Sequence, residues 1–243
     1  YKRQEGEEAS VLCFTDGNTI VPMISAQDHK RISDGDMGAN TGGMGAYAPA
    51  PVMTKELDKI VYDTILQPAV KAMKKEGCPF KGCLYAGLMI TKDRPKVVEF
   101  NCRFGDPETE AVLPLLESDL AKIMLACTKG TLKKERVEWK NACAVDVVLA
   151  SEGYPATHSS GEEIVGLEEA KKTGCLVFHA GSMKKNGRYF VNGGRVLNVA
   201  AVAPTLKEAQ DKAYEGVSKI SWRGMQYRHD IADKGLKRLK KRK

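Results

Sequence analysis

Short apolar runs bounded by glycine, asparagine and charged residues recur along the chain, and this pattern predicts strands joined by turns. Residues 54–76 differ, because their apolar positions recur every three or four residues, which predicts a helix that Gly77 ends. Thr205 and Glu208 have the spacing of a capping box and predict the start of another helix. The predicted strands cover 10–14, 19–24, 82–90, 96–101, 142–150, 176–181, 189–191 and 195–203. Ser118 or Asp119 is predicted to cap a further helix that runs to about Lys129, and a glycine-rich loop covers 27–46.

A charged connection around 132–140 separates two parts of the chain, and we place a domain boundary there. Strands, hairpins and helices are mixed in an order that favours an α+β fold over a doubly wound parallel sheet. The predicted domains are 1–131 and 132–233, followed by a basic tail at 234–243.

The formal charge of +7 is concentrated in this tail, whose seven Lys and Arg residues are accompanied by no acid, so the rest of the chain sums to zero. A basic end of this kind is typical of a solvated surface. No aromatic residue is interleaved in it, so base stacking is not supported and no nucleic-acid partner is expected. If the tail did bind RNA, deleting residues 234–243 would abolish that binding.

Two other features of the composition limit the class of protein. No apolar run approaches the ~18 residues of a membrane-spanning helix, so no membrane partner is expected. The seven cysteines are scattered, odd in number and without a C-x-x-C pair, which argues against both a disulfide framework and a zinc site. That usage fits a reducing compartment, and we expect a cytoplasmic protein.

Three polar side chains, Glu99, Asn101 and Arg103, occupy alternate positions at the end of the predicted strand 96–101. Alternation places them on one face. A carboxylate and an amide oxygen two residues apart can share a hard cation such as Mg²⁺, which in turn bridges nucleotide phosphates. An edge strand with a polar solvated face has the same pattern, so the spacing alone leaves both interpretations open.

A second candidate site is the loop in which the cationic run 27–31 is followed by the glycine-rich run 40–46. Glycines let backbone amides approach an anion closely, and such concavities bind phosphate or carboxylate. No G-K-[ST] closes the run, so it is not a Walker loop. A glycine-rich surface turn remains the alternative.

Acidic residues flank both candidate sites. Asp106 follows Arg103 in a turn that Gly105 and Pro107 favour, although a solvated loop would have the same composition. Glu5 and Glu8 precede the first strand, where a carboxylate can bind a ribose hydroxyl or simply be solvated.

Taken together, these motifs resemble those of the phosphoribosylamine–glycine ligase (glycinamide ribonucleotide synthetase) family, which belongs to the ATP-grasp superfamily. The resemblance implies the C-terminal lobe of an ATP-grasp domain followed by a small mixed α/β C-terminal domain. The motifs in this sequence are Glu5-Gly6-Glu7-Glu8-Ala9-Ser10, Gln27-Asp28-His29-Lys30-Arg31, Asn40-Thr41-Gly42-Gly43-Met44-Gly45-Ala46-Tyr47, Leu84-Tyr85-Ala86-Gly87-Leu88-Met89, Glu99-Phe100-Asn101-Cys102-Arg103-Phe104-Gly105-Asp106-Pro107-Glu108, Gly153-Tyr154-Pro155, Val177-Phe178-His179-Ala180-Gly181 and Gly193-Gly194-Arg195-Val196-Leu197.

The resemblance implies that Glu99 and Asn101 hold Mg²⁺ or Mn²⁺ against the phosphates of ATP. It also implies that glycine is converted to glycyl phosphate, which the amine of 5-phosphoribosylamine attacks to give glycinamide ribonucleotide, ADP and phosphate in purine synthesis. Roles beyond the metal are hypotheses. The candidates are Arg103, Lys30 and Asp28 as catalytic residues, Glu8 and Glu5 as ATP-binding residues, and Asn40, Thr41, Gly42, Gly43, Met44, Gly45 and Asp106 as substrate-binding residues.

The family's N-terminal domain and the first part of its ATP-grasp domain have no counterpart here, and Tyr1–Gln4 does not match the strand expected at that point. We therefore expect a chain equivalent to the second half of the enzyme, inactive alone, with the missing N-terminal half as a partner. Three alternatives stay open: an ATP-grasp ligase for another carboxylate, a non-catalytic binding module derived from such a ligase, and a nucleic-acid-binding protein that uses the tail.

Overall fold

The computed structural model describes residues 5–241, so Tyr1–Gln4 and the last two residues of the predicted tail, Arg242 and Lys243, lie outside the described residues. The strands are β1 (Glu7–Thr15), β2 (Ile20–Pro22), β3 (Gln27–Asp28), β4 (Arg31–Ser33), β5 (Met37–Asn40), β6 (Gly45–Ala48), β7 (Gly82–Ile90), β8 (Pro95–Asn101), β9 (Cys143–Ala150), β10 (Ser160–Ile164), β11 (Leu176–His179), β12 (Ser182–Lys185), β13 (Arg188–Asn192) and β14 (Arg195–Ala203). The helices are α1 (Lys55–Val61), α2 (Gln67–Lys75), α3 (Glu108–Val112), α4 (Leu120–Lys129), α5 (Leu167–Lys172), α6 (Leu206–Val217) and α7 (Asp233–Lys241).

The chain divides into two units built from interleaved segments. Within the described residues, unit 1 comprises 5–27, 49–105 and 115–141, and unit 2 comprises 28–48, 106–114 and 142–241. The three-part division expected from the sequence stays a prediction. No helix in residues 5–241 is long and apolar enough to cross a membrane.

Unit 1 is organised around an antiparallel sheet with the strand order β2-β1-β7-β8. The predicted turn between β1 and β2 is confirmed, because Asp16 Oδ1 accepts hydrogen bonds from the amides of Asn18 (3.0 Å) and Thr19 (2.7 Å). Gly17 adopts φ +89° in this turn, a conformation that costs glycine little.

A long helical segment covers one face of this sheet. Thr54 caps α1 by accepting a hydrogen bond from Leu57, a π-helical turn over 62–66 leads into α2, and Gly77 follows with φ +78°. The predicted helix 54–76 is therefore present, with a π turn in its middle. Its apolar face belongs to a buried cluster with the odd residues of β1 and the even residues of β7. The cluster includes Ala9, Val11, Cys13, Val61, Leu66, Val70, Leu84, Ala86 and Leu88.

Unit 2 contains a five-stranded sheet in the order β11-β14-β9-β6-β3 and a three-stranded sheet in the order β10-β13-β12. The helix α6 begins with the predicted capping box, in which Thr205 and Glu208 exchange hydrogen bonds. Its apolar face (Ala209, Ala213 and Val217) belongs to the same buried cluster as Val147 of β9 and Val199 of β14. This core positions the loops at the edge of the sheet.

One prediction of local structure is wrong. The stretch 27–46, expected to be a glycine-rich loop, contains β3, the hairpin of β4 and β5, and the start of β6, because β4 pairs with β5 and β6 pairs with β9. The tail 234–243, expected to be a solvated basic end, forms most of α7 over its described part. Lys237, Lys240 and Lys241 are exposed, whereas Gly235 packs against Tyr47 and Lys234 forms an ion pair with Asp36.

Candidate active site

In unit 1, the pleat of the sheet brings Glu99 and Asn101 to one face, as predicted. Glu99 stands opposite Gly87, and Asn101 stands opposite Tyr85. The Asn101 amide donates a hydrogen bond to Glu99 Oε1 at 2.9 Å. A side chain at position 87 would have its Cβ 3.2 Å from Glu99 Cγ, so glycine there leaves room for the carboxylate.

The donor set fits a hard divalent cation. Glu99 is exposed and supplies a carboxylate, and the neighbouring Asn101 supplies an amide oxygen. Mg²⁺ is usually bound by one or two protein oxygens, with water and phosphate oxygens completing the octahedron. Among residues 5–241, no group of three or more His, Cys, Asp or Glu side chains is arranged to hold a metal ion. The pair therefore suits a metal that is shared with a nucleotide rather than a closed structural site.

Arg103 is placed differently from the prediction. The strand β8 ends at Asn101, so the alternation does not extend to Arg103, which lies in a bend and donates from Nη1 to the carbonyl oxygen of Phe104 at 2.9 Å. Ser10 of β1 pairs with Gly87 of β7, which pairs with Glu99 of β8. Glu8 lies two positions before Ser10 in β1 and is therefore on the same face of the sheet as Glu99. Glu5 is exposed and precedes β1.

In unit 2, Asp28 and Lys30 form an ion pair with 2.6 Å between Oδ2 and Nζ. Asp28 is almost completely buried, and its Oδ1 accepts the amide of His29 at 2.6 Å. Burial raises the pKa of Asp28 to about 7, and the charge of Glu108 adds to the rise, whereas Lys30 opposes it. Burial lowers the pKa of His29 to about 3, which makes its ring neutral and unsuited to general-base work at neutral pH.

The glycine-rich loop lies directly on this pair. Gly43 adopts φ +123°, and a Cβ there would be 2.3 Å from Pro107 Cδ and 2.8 Å from Asp28 Oδ1. Thr41 donates from both its amide and its hydroxyl to the carbonyl of Lys30, at 2.8 and 2.9 Å. Only a glycine therefore fits at position 43, and the loop is fixed to the residue that carries the ammonium group.

The predicted substrate-binding residues divide into exposed and interior positions. Asn40 is exposed at the end of β5. Met44 is fully buried, and its amide donates to the carbonyl of His29 at 2.9 Å. Gly45 pairs with Val147 in the five-stranded sheet. Met44 and Gly45 therefore support the loop from within.

Two residues that contact this loop were missed as functional residues. Arg195 donates from Nη1 to the carbonyl of Gly42 (3.1 Å) and lies 2.9 Å from Asp106 Oδ1, and Tyr154 accepts the amide of Gly42 (3.0 Å). The run Gly193-Gly194-Arg195 was interpreted as a strand end and a hairpin. It does lie where β13 ends and β14 begins, but these two strands belong to different sheets and do not form a hairpin. Only the tertiary contact reveals its connection to the loop.

A buried carboxylate in β9 was also unexpected. Asp146 is fully buried, and neither of its carboxylate oxygens has a hydrogen-bond partner. Burial raises its pKa well above the ordinary value, and the charges of Glu110, Asp106 and Asp28 raise it further. Burial also raises the pKa of Glu110 to about 7. The interior below the loop is therefore rich in acids that favour the protonated form.

We expect Asp146→Asn to make the protein more stable at pH 8 by about 1–3 kcal/mol, because the buried carboxyl has a raised pKa, each unit of which costs about 1.4 kcal/mol at high pH, whereas an amide does not titrate. A carboxyl with a raised folded-state pKa stabilises the fold below its unfolded pKa, and that contribution is lost as the pH rises. Wild-type stability should therefore fall between pH 4 and 8 more steeply than that of the variant. Urea unfolding followed by circular dichroism across this range measures the difference.

The control for this prediction is Asp63→Asn, because Asp63 is a half-exposed carboxylate paired with Lys59 on a helix surface. Its profile should follow that of the wild type within ~0.5 kcal/mol. The pKa values of Asp28 and Glu110 are also raised, so these residues make the same kind of contribution. Asp146→Asn should therefore reduce the loss of stability with rising pH without removing it. Parallel profiles for Asp146→Asn and wild type would contradict the assignment.

Comparisons with known proteins place most of the chain in one family. Residues 2–109 match the family "Phosphoribosylglycinamide synthetase, ATP-grasp (A) domain", and residues 144–234 match "Phosphoribosylglycinamide synthetase, C domain". The chain is 54% identical over 233 residues to the "Trifunctional purine biosynthetic protein adenosine-3" of Gallus gallus, covering 96% of this chain and 23% of that protein. It is 49% identical to the "Phosphoribosylamine--glycine ligase" of Synechocystis, covering 95% of this chain and 56% of that protein.

Solved structures give the same result. A phosphoribosylamine–glycine ligase from Thermotoga maritima matches with a TM-score of 0.87 and 38% identity, over 95% of this chain and 57% of that chain. A biotin carboxylase from Campylobacter jejuni matches with a TM-score of 0.62 at 13% identity, over 93% of this chain and 48% of that chain, which shows the fold alone. The predicted order, an ATP-grasp part followed by a smaller C-terminal domain, is confirmed. The chain spans about half the length of the ligases that it matches.

Proposed function

The chain belongs to the phosphoribosylglycinamide synthetase family, and we propose that it supplies the metal- and substrate-binding residues of a phosphoribosylamine–glycine ligase in purine synthesis. The observation that carries the proposal is the Glu99–Asn101 pair, two hard oxygen ligands joined on one strand face with the carboxylate exposed. All seven cysteines are free, which supports a reducing compartment such as the cytoplasm.

In this proposal Glu99 and Asn101 hold Mg²⁺ or Mn²⁺, and Glu8 and Glu5 contact ATP. When bound, the metal neutralises charge on the phosphate oxygens. An oxygen of the glycine carboxylate bonds to the γ-phosphorus, and the bond from that phosphorus to the β-γ bridging oxygen breaks to release ADP. The nitrogen of 5-phosphoribosylamine then bonds to the glycyl carbonyl carbon, phosphate leaves, and the nitrogen loses a proton. No protein nucleophile is required, because catalysis rests on positioning and charge neutralisation.

The roles in unit 2 follow from burial. Lys30 is partly exposed, so its ammonium group is proposed to contact the substrate's anionic group. Asp28 is covered by Gly43 and paired with Lys30, so we propose that it acts by holding that ammonium group in place rather than by touching the substrate. The exposed Asn40 side chain would add a hydrogen-bond donor for the same anion. Thr41, Gly42 and Gly43 are proposed to shape the loop around that substrate group, because their amides already bond to Lys30, Tyr154 and Thr41.

The roles of Arg103 and Asp106 are proposed from their charge and exposure. Arg103 is exposed and carries a guanidinium group close to the end of β8, so we propose that it stabilises negative charge on the acyl phosphate. Asp106 is half-exposed beside Arg195 and is proposed to bind the cationic end of a substrate.

The test is ADP release that depends on glycine and 5-phosphoribosylamine. It is measured with this chain alone and with the separately expressed N-terminal half of the Synechocystis ligase. We expect activity on mixing, and replacing glycine by other amino acids should remove it. Stimulation by a different amino acid would instead indicate another ATP-grasp ligase. No activity in any mixture, with folding confirmed by circular dichroism, would favour a non-catalytic binding module.

A further inference from the structure

Arg195, the first residue of β14, connects two loops of unit 2 that are far apart in sequence. Its Nη1 lies 2.9 Å from Asp106 Oδ1 and donates to the carbonyl oxygens of Asp106 and Gly42, each at 3.1 Å. A Cβ on Gly42 would lie 3.0 Å from the guanidinium carbon of Arg195. One guanidinium group therefore lies against the glycine-rich loop and bonds to the turn that follows β8.

Tyr154 bonds to the other backbone polar group of Gly42. The amide of Gly42 donates to the Tyr154 hydroxyl at 3.0 Å, so both the N–H and the C=O of Gly42 are bonded to side chains from residues 142–241. Gly194 permits this arrangement, because a Cβ there would be 2.4 Å from Tyr154 Cδ2. Ser151 fixes the turn that precedes Arg195 by donating from its hydroxyl to the carbonyl of Gly193 at 2.9 Å.

We infer that Arg195 is a positioning residue that, together with Tyr154, sets the distance between the glycine-rich loop and the Asp106 turn before substrate binds. The inference deepens the proposed function and rests on it for its catalytic consequence. A loop with consecutive glycines loses much conformational entropy when it is ordered around a ligand. Contacts that order it in advance remove that cost from binding, which is how preorganisation increases affinity.

Hydrogen exchange of the full chain tests the inference without reference to activity. We expect Arg195→Met to speed exchange about tenfold in peptides that cover 40–46 and 104–110, since both loops lose a contact. Tyr154→Phe removes one hydroxyl and should speed exchange in 40–46 alone. The matched control is Arg188→Met, because Arg188 is an exposed arginine of the same unit, paired with Glu163 at 3.3 Å, and its loss should change neither peptide.

Steady-state kinetics in the mixed ligase assay give the second readout. We expect Arg195→Met to raise the KM of the anionic substrate roughly tenfold or more with a smaller fall in kcat, and Arg195→Lys to restore part of the loss. Because Arg195 and Tyr154 both act through Gly42, their effects should not be independent. We expect the increase in KM of the double variant to be smaller than the product of the increases in the two single variants.

Two results would overturn the inference. One is unchanged exchange in both loops of Arg195→Met, whatever the activity. The other is a double variant whose loss of activity equals the product of the two single losses, together with a fall in kcat that Arg195→Lys does not restore. That result would mean that Arg195 contacts the substrate directly. If the wild-type mixture has no activity, the proposed function fails, and the exchange data still decide the positioning role.

Discussion

Glu99→Gln is expected to weaken metal-dependent nucleotide binding by about 10²-fold or more, in line with the loss of one charged group from a preorganised site. Glutamine keeps the size of the side chain and can still accept the hydrogen bond from Asn101, so the strand geometry should not change. What is lost is the negative charge that draws Mg²⁺ out of water. Titration of Mg²⁺ at fixed ATP, with ADP release in the mixed assay as the signal, measures the shift.

Two further variants make this prediction specific. Asn101→Asp retains a hard oxygen at the same position and should keep most of the metal affinity. Glu163→Gln replaces another exposed glutamate on a strand, in β10, and should leave the Mg²⁺ dependence unchanged. If the Mg²⁺ dependence of Glu99→Gln equals that of the wild type, Glu99 is not a metal ligand.

Arg228→Met is expected to have the largest effect on stability, a loss of about 3 kcal/mol. The Arg228 side chain is fully buried and donates to both carboxylate oxygens of Asp230 at 2.7 Å, to Asp36 Oδ1 at 3.0 Å and to the carbonyl of Arg31 at 3.1 Å. Methionine fills part of the volume but removes the guanidinium donor from two carboxylates and a carbonyl, and leaves Asp36 with Lys234 and Asp230 with the amide of Gly35. The value lies at the low end for a broken buried ion pair, because both carboxylates are partly exposed.

The pH dependence of this effect has the opposite sign to that of Asp146. The hydrogen bond from Arg228 holds the pKa of Asp230 below its ordinary value against the effect of burial. That stabilisation is present above the unfolded pKa and is lost as the pH falls, so wild type and variant should converge in acid. Arg223→Met is the control, because Arg223 is largely exposed, lies 3.8 Å from Glu162 and should contribute less than ~1 kcal/mol. A loss as small as that of the control would contradict the assigned role of Arg228.

The parts that the sequence predicted are those that local geometry determines. Glu99 and Asn101 share a face because a strand has a period of two, and Asp119 and Thr205 begin helices because their side chains accept amide hydrogen bonds at the first turn. The failures involve pairing over long distances. Gly45 to Ala48 has little strand preference of its own and becomes β6 because β9, about a hundred residues later, pairs with it.

The missed residues have the same cause. Arg195 begins a strand and Tyr154 lies in a turn, which are local features of the sequence, and the contacts of both residues with Gly42 exist only in the folded unit. Asp146 stands in an apolar run, where alternation predicts a strand but does not reveal a carboxylate without partners. The basic tail was interpreted by its charge, whereas Leu236 packs against the core of unit 2 and Lys234 pairs with Asp36.

The interleaving of the two units has a consequence for how this protein can be made and dissected. Residues 28–48 belong with residues 142–241, so cutting the chain at the apparent boundary near 132 would separate β6 from its partner β9 and leave β9 with an open edge. During synthesis, β6 leaves the ribosome about a hundred residues before β9 and must wait for it. A piece meant to contain the fold of unit 2 must therefore include residues 28–48 as well as 142–241, and division of the chain near 132 is a poor route to an isolated domain.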